Sequence, residues 1–101
     1  MNQMQQMMRQ AQKMQAQIVK VQEQMAGHRE EATAGGVVTV GASGKGEILD
    51  VRFDPEAVRP EDAEMLQDLL VVAANEALRK AREAVEQAMK KVTGGGLPGL
   101  F

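Results

Sequence analysis

Apolar side chains recur at intervals of three and four residues along the first quarter of the chain, with polar side chains between them. Most of the polar residues are Gln, which forms helices well, as do Met, Lys and Ala. Gly27 is a typical helix end. The pattern predicts a helix of about 25 residues, roughly 37 Å long, with one apolar face. This face, called the seam below, is an unbroken heptad pattern formed by Met4, Met7, Ala11, Met14, Ile18, Val21 and Met25.

A two-residue period replaces this pattern in the middle of the chain and predicts strands. Residues 29–42 are rich in Thr and Val and are interrupted by Gly35-Gly36, a site for a bulge or a sharp bend. Residues 47–54 alternate, so that Leu49, Val51 and Phe53 are expected on one face. Two or three antiparallel strands are therefore expected.

Helical spacing returns after Pro60, which is followed by two acidic residues, as is typical of a helix start. Apolar positions then recur to about Thr93. The order of elements predicts an α+β fold, in which a long N-terminal helix, a small antiparallel sheet and a long C-terminal helix form one domain over residues 1–93. The Gly-rich residues 94–101 are expected to be a flexible tail.

Residues 40–47, VGASGKGE, raise the question of a phosphate-binding loop. That motif requires G-x-x-x-x-G-K-[ST] between a strand and a helix. The first glycine position is occupied by Thr39, Gly46 follows the lysine, and the next segment alternates like a strand. The stretch is therefore interpreted as a hairpin turn, and no nucleotide ligand is expected, although Lys45 at its tip could contact an anionic partner.

Composition argues against catalysis and for a partner surface. The chain has no Cys, Trp or Tyr and only two Phe, so that a monomer buries modest area and a second surface is expected to help. The single His28 is interpreted as a surface residue rather than a catalytic group or metal ligand. The acidic residues between 54 and 64 are favoured as helix-dipole partners over a cation site. We therefore expect a protein that is not an enzyme and has no cofactor or metal.

Charge is unevenly distributed, although the net charge is only −2. Arg9, Lys13 and Lys20 fall on one stripe of the first helix, away from the seam, at about 100° per residue. A second basic set on the last helix is Arg79, Arg82, Lys90 and Lys91, where the spacing predicts i,i+4 pairs Arg79–Glu83, Arg82–Glu86 and Glu86–Lys90. Either set is compatible with an ordinary solvated face or with phosphate contacts. The lack of aromatic residues disfavours stacking on bases.

Several segments together resemble the YbaB/EbfC family of bacterial nucleoid-associated proteins. They are the Met/Gln-rich first helix, GKGEILDVRFDP, PEDAEMLQDLLVVAANEAL and GGLPGLF, and the resemblance covers nearly the whole chain. It implies a tweezer-like homodimer that binds double-stranded DNA, alters its conformation and contributes to nucleoid organisation and gene regulation. The basic residues of both helices are then the candidate DNA contacts.

A second hypothesis is a protein-interaction adaptor whose seam holds a partner and whose DNA binding is incidental. Three interpretations of the seam stay open: intramolecular core, coiled-coil face, or adaptable groove for a client. The polar N-terminus and the lack of a long apolar run favour a cytoplasmic location without a membrane partner, and the resemblance implies a location at the nucleoid. Salt dependence separates the hypotheses, because phosphate contacts weaken steeply with ionic strength.

Overall fold

The computed structural model describes residues 2–94 and has the predicted α+β order. Helix α1 spans Gln3–Ala26, and helix α2 spans Ala63–Val92. Between them lie three strands, β1 (Arg29–Ala34), β2 (Val38–Ser43) and β3 (Ile48–Phe53), followed by two single 3-10 turns, Pro55–Ala57 and Pro60–Asp62. The predicted tail lies outside the described residues from position 95 onward.

The three strands form one antiparallel sheet in the order β1-β2-β3, and α2 packs across one face of it. The described part of the chain buries eight apolar residues, all of them Ala or Val: Ala32, Ala34, Val38, Val40, Ala42, Ala73, Ala77 and Ala81. The three alanines of α2 repeat every four residues and form a narrow stripe, which lets the helix backbone approach the sheet closely. Small side chains therefore set the spacing of the two layers.

The predicted turn at residues 43–46 is confirmed. The Ser43 carbonyl accepts from the Gly46 amide at 2.9 Å, and Gly46 has a φ of 84°. Gly44 has a different role, because a Cβ at this position would overlap the Met25 carbonyl oxygen and would lie 3.2 Å from Val85. The hairpin between β2 and β3 is thus wedged between the end of α1 and the side of α2.

The outer face of the sheet carries an ion-pair ladder that crosses all three strands. Arg29 of β1 donates to Glu31 at 2.6 Å and to both carboxylate oxygens of Asp50 on β3, at 2.9 and 3.0 Å. Arg52 donates to Glu31 at 2.8 Å. Arg29 reaches Asp50 by passing over the middle strand at Gly41, where any Cβ would overlap its guanidinium group. Hydrogen bonds from Arg29 hold the pKa values of Glu31 and Asp50 below their usual range.

The seam of α1 meets α2 over only part of its length. Met14, Ile18, Val21 and Met25 are half-buried, whereas every residue from 2 to 13 is exposed. The Cα radius of gyration is 19.8 Å, against about 13 Å for a compact chain of this size. Residues 3–13 therefore form an arm that projects beyond the sheet and α2.

The register of β3 differs from the simple alternation expected. A bulge opposite Gly41 and Ala42 places Ile48, rather than Leu49, opposite Ala42, while Val51 and Phe53 pair with Val40 and Val38 as expected. The bulge inserts one extra residue, Leu49, into β3, so that Ile48 rather than Leu49 shares a face with Val51 and Phe53.

Replacing Gly44 with Ala should destabilise the fold, since the new methyl group overlaps a backbone oxygen that no rotamer change can move. We expect a loss of about 1–3 kcal/mol in the free energy of unfolding measured by urea denaturation. The matched control is Gly46→Asn, because Asn tolerates positive φ and a Cβ there meets nothing within 4 Å. Equal losses for both variants would contradict this role of Gly44.

The ladder predicts an acid-sensitive stability. Because the pKa values of Glu31 and Asp50 are lowered on folding, their contribution is present above the unfolded pKa of about 4 and is lost as pH falls through the folded values. Asp50→Asn should therefore reduce stability at neutral pH and weaken its decline in acid, measured by urea denaturation across pH. Glu47→Gln, at an exposed acid that forms no salt bridge within residues 2–94, should retain the wild-type decline.

Candidate nucleic-acid interface

Helix α1 carries the first set of predicted contacts on its outer side, two of them on the arm. Arg9, Lys13 and Lys20 are all exposed, and at about 100° per residue they fall within roughly 40° of one another on the helix. They lie roughly opposite the seam, whose later part faces α2. The structure thus places these three cations in one stripe that is open to solvent.

An open groove of about 810 Å³ between α1 and α2 brings together one lysine from each predicted set. Its walls include Lys20 of α1 and Lys91 of α2, together with the amide side chains Gln17, Gln24 and Gln87. Its apolar lining comes from Val21, Met25, Ala84, Ala88 and Val92. At its base His28 and Glu30 bond to each other at 2.5 Å between Nε2 and Oε2. Two cations with neighbouring amide donors suit a polyanion more than an apolar ligand.

A second groove, of about 390 Å³, lies on the other side of α2. Lys45 from the hairpin and Arg82 from α2 both line it, together with Glu86. Arg82 and Lys91 are nine residues apart, which is about 180° around the helix, so one face cannot contain both. The sequence predicts that Lys45 lies at the tip of a turn, where it could contact an anionic partner, and only the packing of the hairpin against α2 shows that it lies beside a second cation.

The other basic residues of α2 differ in whether they form salt bridges with carboxylates. Arg79 donates to Glu83 at 2.5 Å and also pairs with Glu76, and these hydrogen bonds raise its pKa. The predicted pair Arg79–Glu83 is therefore confirmed. Lys90 is exposed near the end of α2. The predicted pairs of Glu86 with Arg82 and with Lys90 are wrong, since none of the salt bridges within residues 2–94 includes Glu86.

The same residues contain neither a metal-binding cluster nor a membrane-spanning helix. Between positions 2 and 94, no cluster of three or more His, Asp or Glu side chains has a geometry suited to a metal ion. Neither helix there combines the length and the apolar character that a bilayer span requires. The cation stripe and the two grooves are therefore the candidate binding surfaces within residues 2–94.

Comparison with known proteins identifies close relatives. The model of the YbaB/EbfC DNA-binding family matches residues 1–97. A protein named nucleoid-associated protein from Desulforamulus reducens is 54% identical over 100 residues, covering 97% of this chain and 95% of its own. Nucleoid-associated protein BH0035 from Halalkalibacterium halodurans is 59% identical over 73 residues, 70% of this chain and 71% of its own.

A solved structure supports the same fold. The uncharacterized protein HP0035 from Helicobacter pylori is 26% identical to this chain and superposes with a TM-score of 0.61. The alignment covers 86% of this chain and 98% of HP0035. The helix–sheet–helix arrangement is therefore shared with a relative of low sequence identity.

Proposed function

Since the chain belongs to the YbaB/EbfC DNA-binding family, we propose that it acts as a homodimer that binds duplex DNA mainly through phosphate contacts. The family comprises nucleoid-associated DNA-binding proteins rather than enzymes. The relatives' names place them at the nucleoid, and the proposed location of this protein is the same. The proposed outcome of binding is a change in DNA conformation that contributes to nucleoid organisation and gene regulation.

The observation that carries the DNA proposal is the exposed cation stripe on α1, which begins on the arm with Arg9 and Lys13. Helix α1 has three cations and a single acid, Glu23, so the arm is basic although the chain is acidic overall. Phosphate attraction depends on local charge, because exposed charges beyond about 10 Å are screened at ordinary salt. Lys91 continues the positive surface across the groove from Lys20. Lysine and arginine contacts of this kind fix the position of a duplex but do not read its sequence.

The homodimer is supported by an apolar surface that α2 leaves uncovered. Ile48, Val51 and Phe53 of β3 are 43%, 38% and 39% exposed, although their partners on β2 are fully buried. This surface continues into a shallow groove between Phe53, Val58, Leu66 and Leu70. A contiguous apolar patch of this kind on a small domain marks an interaction site.

Helix α2 extends the same surface. Val71 is 60% exposed and lies about 180° around the helix from Lys80. Lys80 donates to the carbonyl of Glu31 on β1, so Val71 faces the opposite, β3 side. The proposed dimer interface therefore includes the inner face of β3 and the adjoining side of α2. Two such chains present two basic arms, and linking two weak sites raises the overall affinity.

The first test replaces Arg9, Lys13 and Lys20 together with Gln, which preserves helix propensity. Two copies of α1 give about six phosphate contacts and a log–log salt slope of roughly −5. Mobility-shift assays across a salt series should show that the variant binds all duplexes on the order of tenfold or more weakly, with a flatter slope.

The matched control replaces three cations already bonded within the fold, Arg52, Arg59 and Lys80, with Gln. The net charge changes by the same amount, so a general charge effect would weaken both variants equally. Two results together would contradict the proposal that the stripe binds DNA. The first variant would keep the wild-type affinity, and a variant in which Arg82, Lys90 and Lys91 are replaced would lose binding.

The second test concerns the dimer. Val71→Glu places a charge on the proposed interface and should shift the mass measured by sedimentation equilibrium from twice the chain mass toward the monomer. Val72→Glu is the control, because Val72 is similarly exposed at 58% but lies about 180° from the buried Ala81, pointing away from the sheet. A wild-type monomer at micromolar concentration, or equal effects of the two variants, would refute this interface.

A further inference from the structure

The arm has an uncovered apolar face on the side away from its cations. Met4, Met7 and Met8 are 71%, 68% and 58% exposed, and with Ala11 they line a shallow groove of about 490 Å³. These four residues are called the arm face below. Single apolar side chains are often exposed to solvent, but four adjoining ones form a contiguous patch, and such patches are usually covered by another segment or a partner.

The arm face is continuous with a surface that is already covered. Farther along the seam, Met14, Ile18, Val21 and Met25 are half-buried, and Val21 and Met25 line the groove with α2. The burial ends near the position where α2 ends, at Val92. The same stripe of side chains therefore changes from covered to exposed because its partner helix stops.

The direction of α2 determines where the following chain begins. Met25 and Val85 both lie at Gly44, and the groove between the helices is lined by residues 17–25 of α1 and 84–92 of α2. With increasing distance from Gly44, the residue numbers decrease along α1 to Gln17 and increase along α2 to Val92. The helices are thus antiparallel, and α2 points along α1 toward the arm face.

We propose that residues 95–101, GGLPGLF, do not form the flexible tail expected from their glycines but pack against the arm face of the same chain and extend the cover that α2 provides. This segment contains three large apolar residues, Leu97, Leu100 and Phe101. Seven residues reach up to about 23 Å, and the seam from Met14 to Met4 is roughly 15 Å long. The segment is therefore long enough to cover the whole arm face without reversing direction.

The sequence of the segment suits an extended strip better than another helical turn. Its glycines and Pro98 disfavour helix, while Met side chains adapt to irregular apolar partners. Because Arg9 and Lys13 lie on the other side of the arm, this packing leaves the cation stripe free. The proposal is independent of DNA binding, and its test uses no DNA.

The experiment measures methionine oxidation by dilute hydrogen peroxide, with peptide mass spectrometry, in the full chain and in a chain truncated after Gly94. Removal of the segment should make Met4, Met7 and Met8 oxidise severalfold faster. Met65, which is 45% exposed at the start of α2, is the internal control and should not change. A second variant, with Leu97, Leu100 and Phe101 all replaced by Ser, keeps the chain length and should behave like the truncation.

Two outcomes would overturn the proposal. Equal oxidation of the arm methionines in all three chains would mean that the segment does not cover them. Protection that rises with protein concentration and persists in the truncated chain would assign the arm face to a second copy instead. Circular dichroism of each chain verifies that the helices are retained, so that faster oxidation is not caused by unfolding.

Discussion

The close packing of the α2 alanine stripe on strand β2 is the contact on which the rest of the molecule depends. Ala73, Ala77 and Ala81 lie against a sheet whose central buried side chains are Val38 and Val40. Alanines allow the two layers to approach closely, but each alanine side chain buries little apolar area. The larger buried valines contribute only about 1.5–3 kcal/mol each. The contact fixes the geometry precisely enough to place both helices, yet it supplies a small core for a chain of this length.

A narrow helix stripe also covers a narrow strip of sheet. The three inner positions of β2, Val38, Val40 and Ala42, are fully buried, whereas β3 lies beyond the reach of α2 and keeps its apolar face exposed. The same limit applies at the other end, where α1 extends past the end of α2. The proposed dimer surface and the arm face are thus two consequences of one constraint. A wider core, with larger residues in place of the alanines, would cover more of β3 and leave less surface for partners.

The sequence predicts this architecture well where the signal is periodic. The seam and Gly27 define α1, and glycines indicate the hairpin at residues 43–46, because these features act within a few residues of each other. Gly35-Gly36 indicates only a bulge or a bend, whereas the structure has the β1–β2 hairpin there. Features that depend on packing are not predictable in this way. The bulge at Leu49, the steric role of Gly44 and the position of Lys20 across the groove from Lys91 all depend on how distant elements lie together. The i,i+4 spacing likewise permits a salt bridge without determining that Glu86 forms one.

The ion pairs within residues 2–94 explain how an acidic chain can present a basic surface. Arg29, Arg52, Arg59 and Arg79 are bonded to carboxylates, and Lys80 is bonded to a backbone carbonyl. The cations outside these bonds are Arg9, Lys13, Lys20, Lys45, Arg82, Lys90 and Lys91. Apart from Lys45 they lie on the two helices, and most are on the arm or near the end of α2. Carboxylates that neutralise arginines in the body of the fold therefore do not reduce the positive potential where the helices project. Net charge then says little about phosphate binding, because exposed charges are screened beyond about 10 Å and a duplex meets only the local charge of the surface that it approaches.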